Sequence, residues 1–115
     1  FEIDAYKILI GKNSKNNDLL TLKYASKNDI WLHTKDVSGS HVVIKDHPGT
    51  KTPLYIIEKA ASLAAWFSKR KTDNMVPVIY TPKKFVRKIK GTPAGQVIVE
   101  KEEVILVEPI DPRKF

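Results

Sequence analysis

Residues 29–45 constrain the fold more than any other stretch. In Asp29-Ile30-Trp31-Leu32-His33-Thr34, side-chain character alternates with the two-residue period of an extended chain, so Ile30 and Leu32 share one face while Asp29, Trp31 and His33 share the other. That is the pattern of a half-buried strand. Asp36-Val37-Ser38-Gly39 then reads as a tight turn and Ser40 to Lys45 as a returning strand, which makes the pair a hairpin. With the turn centred near Val37, His33 and His41 face each other across it.

A long helix follows over Leu54 to Lys71, opened by Thr52-Pro53. Ile56, Ala60, Leu63 and Phe67 form one apolar row and Ile57, Ala61 and Ala64 its neighbour, with Lys59, Ser62, Trp66 and Lys69 on the opposite side. The alanines permit close packing on a sheet. Upstream, Tyr6 to Ile10 reads as a strand and Gly11 to Asn17 as a loop, with Asn13, Ser14 or Asn16 available to cap a short helix over Asp18 to Ala25 whose stripe is Leu19 and Leu22, widened by Leu20 and Tyr24. Downstream, Pro77 to Thr81 is a strand, Lys83 to Ala94 a basic connection, Gln96 to Glu100 with Val104 to Val107 a second hairpin, and Pro109 to Phe115 an unstructured tail or linker. The order β-α-β-β-α-β-β-β implies an α+β fold, a mixed β-sheet with two helices.

With 115 residues the chain is one domain with one core. It starts at Phe1 and its single methionine is Met75, so it is read as a domain cut from a longer protein. No apolar run reaches membrane-spanning length, and a cytoplasmic location without membrane contact is expected. The absence of cysteine removes thiolate metal sites such as zinc ribbons. His33, His41, Asp36 and His47 lack the spacing of a metal motif, so neither metal nor cofactor is expected.

Charge points to a partner. The net charge of +7 is concentrated in residues 51–95, where 10 basic residues face 2 acidic ones, a local excess of +8. A concentrated positive field favours a polyanion, because each phosphate neutralised releases counterions. Lys83, Lys84, Arg87, Lys88 and Lys90 interleave with Phe85, Val86 and Ile89, as expected of a segment that packs its apolar side and offers its cations to an RNA backbone. Lys69, Arg70 and Lys71 suit the negative end of the long helix.

The row Asp29, Trp31, His33 and Lys35, leading into Ser38-Gly39-Ser40-His41, offers an indole as a stacking plate for an unpaired base, with donors beside it. The competing reading covers Trp31 with the long helix and makes His33 a hydrogen-bonded core residue. Asp29, His33 and His41 with Ser38 or Ser40 contain the ingredients of a hydrolytic triad, but no nucleophile-elbow pattern surrounds either serine, so an enzyme is not expected.

Ile10-Gly11-Lys12-Asn13, Asn16-Asn17-Asp18-Leu19-Leu20-Thr21 and the run from Asp29 to Ile44, followed by Ala60-Ala61, Ala64-Ala65, Val76-Pro77-Val78, Tyr80 and Gly95-Gln96-Val97-Ile98, together resemble the C-terminal NFACT-R module of the NFACT family. This family comprises ribosome quality-control factors, among them bacterial proteins long labelled fibronectin-binding. The resemblance implies an RNA-contacting module of a protein that recruits tRNA to a stalled large subunit, with tRNA or large-subunit rRNA, the ribosome and the parent's other domains as partners. Carried over by position, Asn17, Asp29, Trp31, His33 and Ser38 to His41 lie on the family's motif surface. Val37-Ser38 departs from the more usual Ile-Pro or Leu-His. The alternative is a protein-docking or adhesion module without RNA contact.

Overall fold

The structure, a computed structural model, describes all residues from Phe1 to Phe115. In chain order the elements are β1 (Glu2–Ile3), β2 (Tyr6–Ile10), α1 (Ser14–Leu19) continued by a π turn over Leu20–Tyr24, β3 (Ile30–Thr34), β4 (Val42–Ile44), α2 (Leu54–Trp66), β5 (Val76–Pro82), a 3-10 turn over Lys83–Phe85, β6 (Val86–Arg87), β7 (Ile98–Val99), β8 (Glu103–Val107) and a 3-10 turn over Pro112–Lys114. Six strands form one sheet in the order β1-β2-β4-β3-β5-β8, and β6 pairs with β7 in a separate ribbon. The class is α+β, as the element order implied. Every pairing within the sheet is antiparallel, because α1 and α2 each return the chain in a direction that opposes the neighbour it joins.

The alternating segment explains why the sheet has two cores. Trp31 pairs with Val43 and Leu32 with Val42. Leu32, Val42 and Ile44 turn toward α2, where they meet Ile56, Ala60, Leu63 and Ala64, all fully buried. Burying a leucine side chain of this kind contributes about 2 kcal/mol, and the alanines let the helix lie close against the strands. On the other face Trp31, Val43 and Ile79 pack against Leu20 and Ala25 from the π turn and its exit and Val86 from the ribbon, with Val97 and Val99 at the margin. The expected half-buried strand is therefore covered on both faces.

Four expectations need correction. The helix from Leu54 ends at Trp66 rather than Lys71, because the β3–β4 loop captures the chain there: Ser40 N donates to the Phe67 carbonyl at 3.0 Å and Lys69 N to the Ser38 carbonyl at 3.1 Å. A Cβ on Gly39 would stand 2.9 Å from Ser68 Cβ, so glycine is what permits this approach. The first helix starts at Ser14, capped by Asn13, and with its π turn it buries Asn17 and Thr21 beside Leu20, while Leu19, Leu22 and Tyr24 of the expected stripe stay exposed. The second hairpin does not form. β7 joins β6 over Trp31, and β8 joins β5, where Ile105 and Val107 extend the α2 core. The closing segment is not free chain: Ile110 N approaches the Ser62 carbonyl at 3.4 Å, which buries Ser62 on the helix side expected to face water, and Asp111 caps the turn that follows.

Candidate nucleic-acid interface

An open cleft of about 860 Å³ lies at the end of the sheet, between the β3–β4 loop, the start of α1 and the loop over residues 93–96. His33, Asn17, Asp36 to Gly39, Lys69 and Ala94 to Gln96 line it. His33 arrives there because it follows Trp31 by two positions on the same strand face. Its ring stacks toward the indole at 5.9 Å and meets His41 edge-on at 5.4 Å, so the register that sets His33 opposite His41 is the one observed. Lys69 arrives because the loop ends α2 early. Asp36 adopts a left-handed φ of 60°, which turns the chain out of β3. The backbone N–H groups of Val37, Ser38 and Gly39 find no acceptor elsewhere in the protein.

Asn17 forms the floor. Its side-chain oxygen accepts from His41 N at 3.0 Å and its amide nitrogen donates to the Gly39 carbonyl at 3.4 Å, clamping the loop to the helix. A Cβ on Gly11 would lie 1.9 Å from that oxygen, so Gly11 and Asn17 form one packing unit.

Beneath the floor runs a directional hydrogen-bond chain. His41 Nε2 lies 3.1 Å from the Gly95 carbonyl, which can only accept, so Nε2 carries the proton. Nδ1 therefore accepts from the Thr21 hydroxyl at 2.8 Å, and that oxygen accepts from Trp31 Nε1 at 3.1 Å. Burial pushes the His41 pKa down from 6.5 to about 4; the adjacent His33 and Lys88 lower it too, against the opposing pull of the Gly95 carbonyl and Asp18. Burial also lowers the His33 pKa, with the backbone of Gly39 and Thr34 opposing it. Both imidazoles are neutral at pH 7; His33 offers the cleft hydrogen bonds rather than charge, while both nitrogens of His41 are engaged internally.

The site residues named from the sequence separate into three groups. His33, Asn17, Ser38 and Gly39 line the cleft, with Ser40 on the same loop. Trp31, Asp29 and His41 are buried, which corrects the exposed row expected of them. Trp31 is only 1% exposed, sealed by the π turn and ribbon rather than by α2, and presents no plate for a base. Asp29 ties down two loops, accepting from Ser26 N at 2.8 Å, Asp46 N at 2.7 Å and Lys45 Nζ at 2.6 Å. In the basic segment, Lys84, Arg87 and Lys90 are exposed, Lys83 and Lys35 are partly so, and Arg87 lies 3.8 Å from Glu100. Lys88 is engaged internally, its Nζ donating to the carbonyls of Pro93 at 2.6 Å and Gln96 at 2.9 Å. Because Val86 packs in the Trp31 cluster, this segment covers the sheet face that carries His33. Ser14, Lys69 and Ala94 to Gln96 also line the cleft but were not among the site residues expected from the sequence, although Gly95-Gln96 belongs to the segments that carry the family resemblance.

The fold is that of a small module whose sheet carries a helix on one side and a basic ribbon beside a polar cleft on the other, and the chain belongs to the family of the NFACT protein RNA binding domain, whose model matches residues 1–101. It is 45% identical over 103 residues to the Rqc2 homolog RqcH of Bacillus subtilis and 39% identical over 104 residues to that of Streptococcus suis, covering 89% and 90% of this chain but 17% and 18% of those proteins. A structure of the C-terminal of the fibronectin/fibrinogen-binding protein from Streptococcus suis superposes with a TM-score of 0.87 at 39% identity, over 92% of this chain and 42% of that one. Coiled-coil domain-containing protein 25 of Bos taurus is 29% identical over 111 residues, about half its length. No helix is long and apolar enough to cross a membrane.

Proposed function

We propose that this domain contacts tRNA or large-subunit rRNA through the cleft around His33, as the RNA-binding part of a longer cytoplasmic ribosome quality-control protein. The cleft supplies neutral hydrogen-bonding groups: the His33 ring, the Asn17 amide and the N–H groups of Val37 to Gly39. Lys69 at its rim and Lys35 where β3 enters the cleft loop, with Lys83, Lys84, Arg87 and Lys90 along the basic segment that crosses the same sheet face from the Asp29 end, supply the phosphate attraction. One observation carries the reading: the basic stretch Lys83 to Lys90, through Val86, packs over the sheet face whose His33 opens into the cleft, so its cations and the cleft's hydrogen-bonding groups share one side of the sheet. Stacking on Trp31 has no part in it. The similarity to RqcH proteins supports placement on stalled large subunits.

Fluorescence anisotropy with labelled tRNA and with large-subunit rRNA fragments, across a salt series, tests this. Affinity should fall with salt, and Lys69→Ala and Lys90→Ala should each reduce the log–log slope by about 0.7–0.9, the share of one phosphate contact. His33→Ala should weaken binding and leave the slope unchanged. Salt-independent binding, or binding to fibronectin that RNA does not compete, would overturn the proposal.

A further inference from the structure

Lys88 sits within the most basic stretch of the chain, yet three groups converge on its ammonium: the Pro93 carbonyl at 2.6 Å, the Gln96 carbonyl at 2.9 Å and Asp18 Oδ2 at 3.3 Å. Asp18 reaches the same loop independently, its Oδ1 accepting from Gly95 N at 2.9 Å. His41 holds the far side of Gly95 through its carbonyl. The loop over residues 93–96 has no regular secondary structure of its own, and Gly95 carries a left-handed φ of 85°. Its Ala94, Gly95 and Gln96 are one wall of the cleft. That wall is therefore held by side chains from α1, the β3–β4 loop and the basic segment, with Lys88 bridging its two ends.

We infer that Lys88 and Asp18 are positioning residues: together they clasp the loop over residues 93–96 into the shape that closes one side of the RNA cleft, and Lys88 makes no phosphate contact itself. Charge-assisted bonds to two carbonyls occupy two of the ammonium's three donors, the Asp18 carboxylate pairs its charge, and its side chain is only 20% exposed. The inference rests on the RNA-binding reading for its functional consequence, but the clasp can be observed without RNA.

Two substitutions of opposite charge separate positioning from electrostatics. Lys88→Met removes a cation, and Asp18→Ala removes an anion. If charge alone governed binding, Asp18→Ala would tighten it. If the clasp positions the wall, both weaken it, by roughly threefold to tenfold for a loop that is ordered in one-third to one-tenth of molecules, since apparent affinity falls with the competent fraction. Both should leave the salt slope at the wild-type value. In the free domain, amide hydrogen exchange at Gly95 should accelerate in both variants while exchange in β3 and β5 stays unchanged, which also establishes that each variant folds. Unchanged exchange at Gly95, a slope lowered by about 0.7–0.9 in Lys88→Met, or tighter binding by Asp18→Ala would each overturn the inference. Faster Gly95 exchange with no RNA binding by the wild-type domain would uphold the clasp and sink the RNA-binding reading instead.

Discussion

Acidification should destabilise this fold well before its carboxylates titrate, and His41 sets the size of the effect. The ring is fully enclosed, donates through Nε2 to the Gly95 carbonyl and accepts at Nδ1 from Thr21. A second proton would force Nδ1 to donate toward an oxygen that already receives the Trp31 N–H, beside the half-buried His33 ring. The folded pKa of about 4 lies below the ordinary 6.5, so between these values the unfolded chain binds more protons, and stability falls as pH falls. The stabilisation is complete above about pH 6.5. Linkage puts the loss at about 2 kcal/mol by pH 5 and about 3 kcal/mol by pH 4. His33, whose pKa is also lowered, adds to it with the same sign. Urea unfolding of the wild type and His41→Gln at half-unit pH steps from 7.5 to 4 isolates the contribution, because other groups largely cancel in the difference. The wild type should lose about 2 kcal/mol more than the variant between pH 7 and 5. Parallel stability curves, or a His41 that titrates near 6.5 by NMR, would refute the hydrogen-bond chain as drawn.

Trp31→Leu should cost about 2–4 kcal/mol of stability through a cavity and the loss of the indole N–H that the Thr21 oxygen accepts, yet leave RNA affinity of the folded domain within about twofold; loss of the roughly 1–3 kcal/mol that a stacked base contributes would restore the indole to the interface. Gly11→Ala should shift the thermal midpoint down by several degrees, because the new methyl overlaps the Asn17 side chain at 1.9 Å; heteronuclear NMR should show the disturbance spreading to Gly39 and His41, and an unperturbed midpoint would contradict the packing described.

Much of the fold was legible because its strongest signals are local. Alternation over 29–34 fixed the central strand and, with the turn, the His33–His41 register, and the alanine-rich rows located α2 and the face it buries. What was not legible depends on contacts distant in sequence. Nothing near Trp66 stops a helix there; the stop comes from Gly39 docking on Ser68, which is also what delivers Lys69 to the cleft. The π turn inverts the apparent stripe of the first helix, so exposed Leu19 and Leu22 looked like core while Asn17 and Thr21 hold the buried polar network. β1 escaped notice because its turn uses Asp4 and Ala5 at positive φ rather than an Asn-Gly pair. Trp31 was misplaced because alternation assigns residues to a face without saying what covers it, and the ribbon that covers it pairs Val86 with Val99, thirteen residues apart. Composition located the cations correctly but could not separate Lys88, which holds a loop, from Lys84 and Lys90, which face solvent.

The most direct test of where RNA sits is an amide chemical-shift map of the labelled domain titrated with tRNA at low salt. Shifts should concentrate at His33, Val37 to Gly39, Lys69 and Ala94 to Gln96, with line broadening along Lys84 to Lys90, while Tyr55, Lys59 and Phe115 on the outer side of α2 remain unmoved. Perturbations centred on α2, with the cleft unaffected, would contradict the assignment.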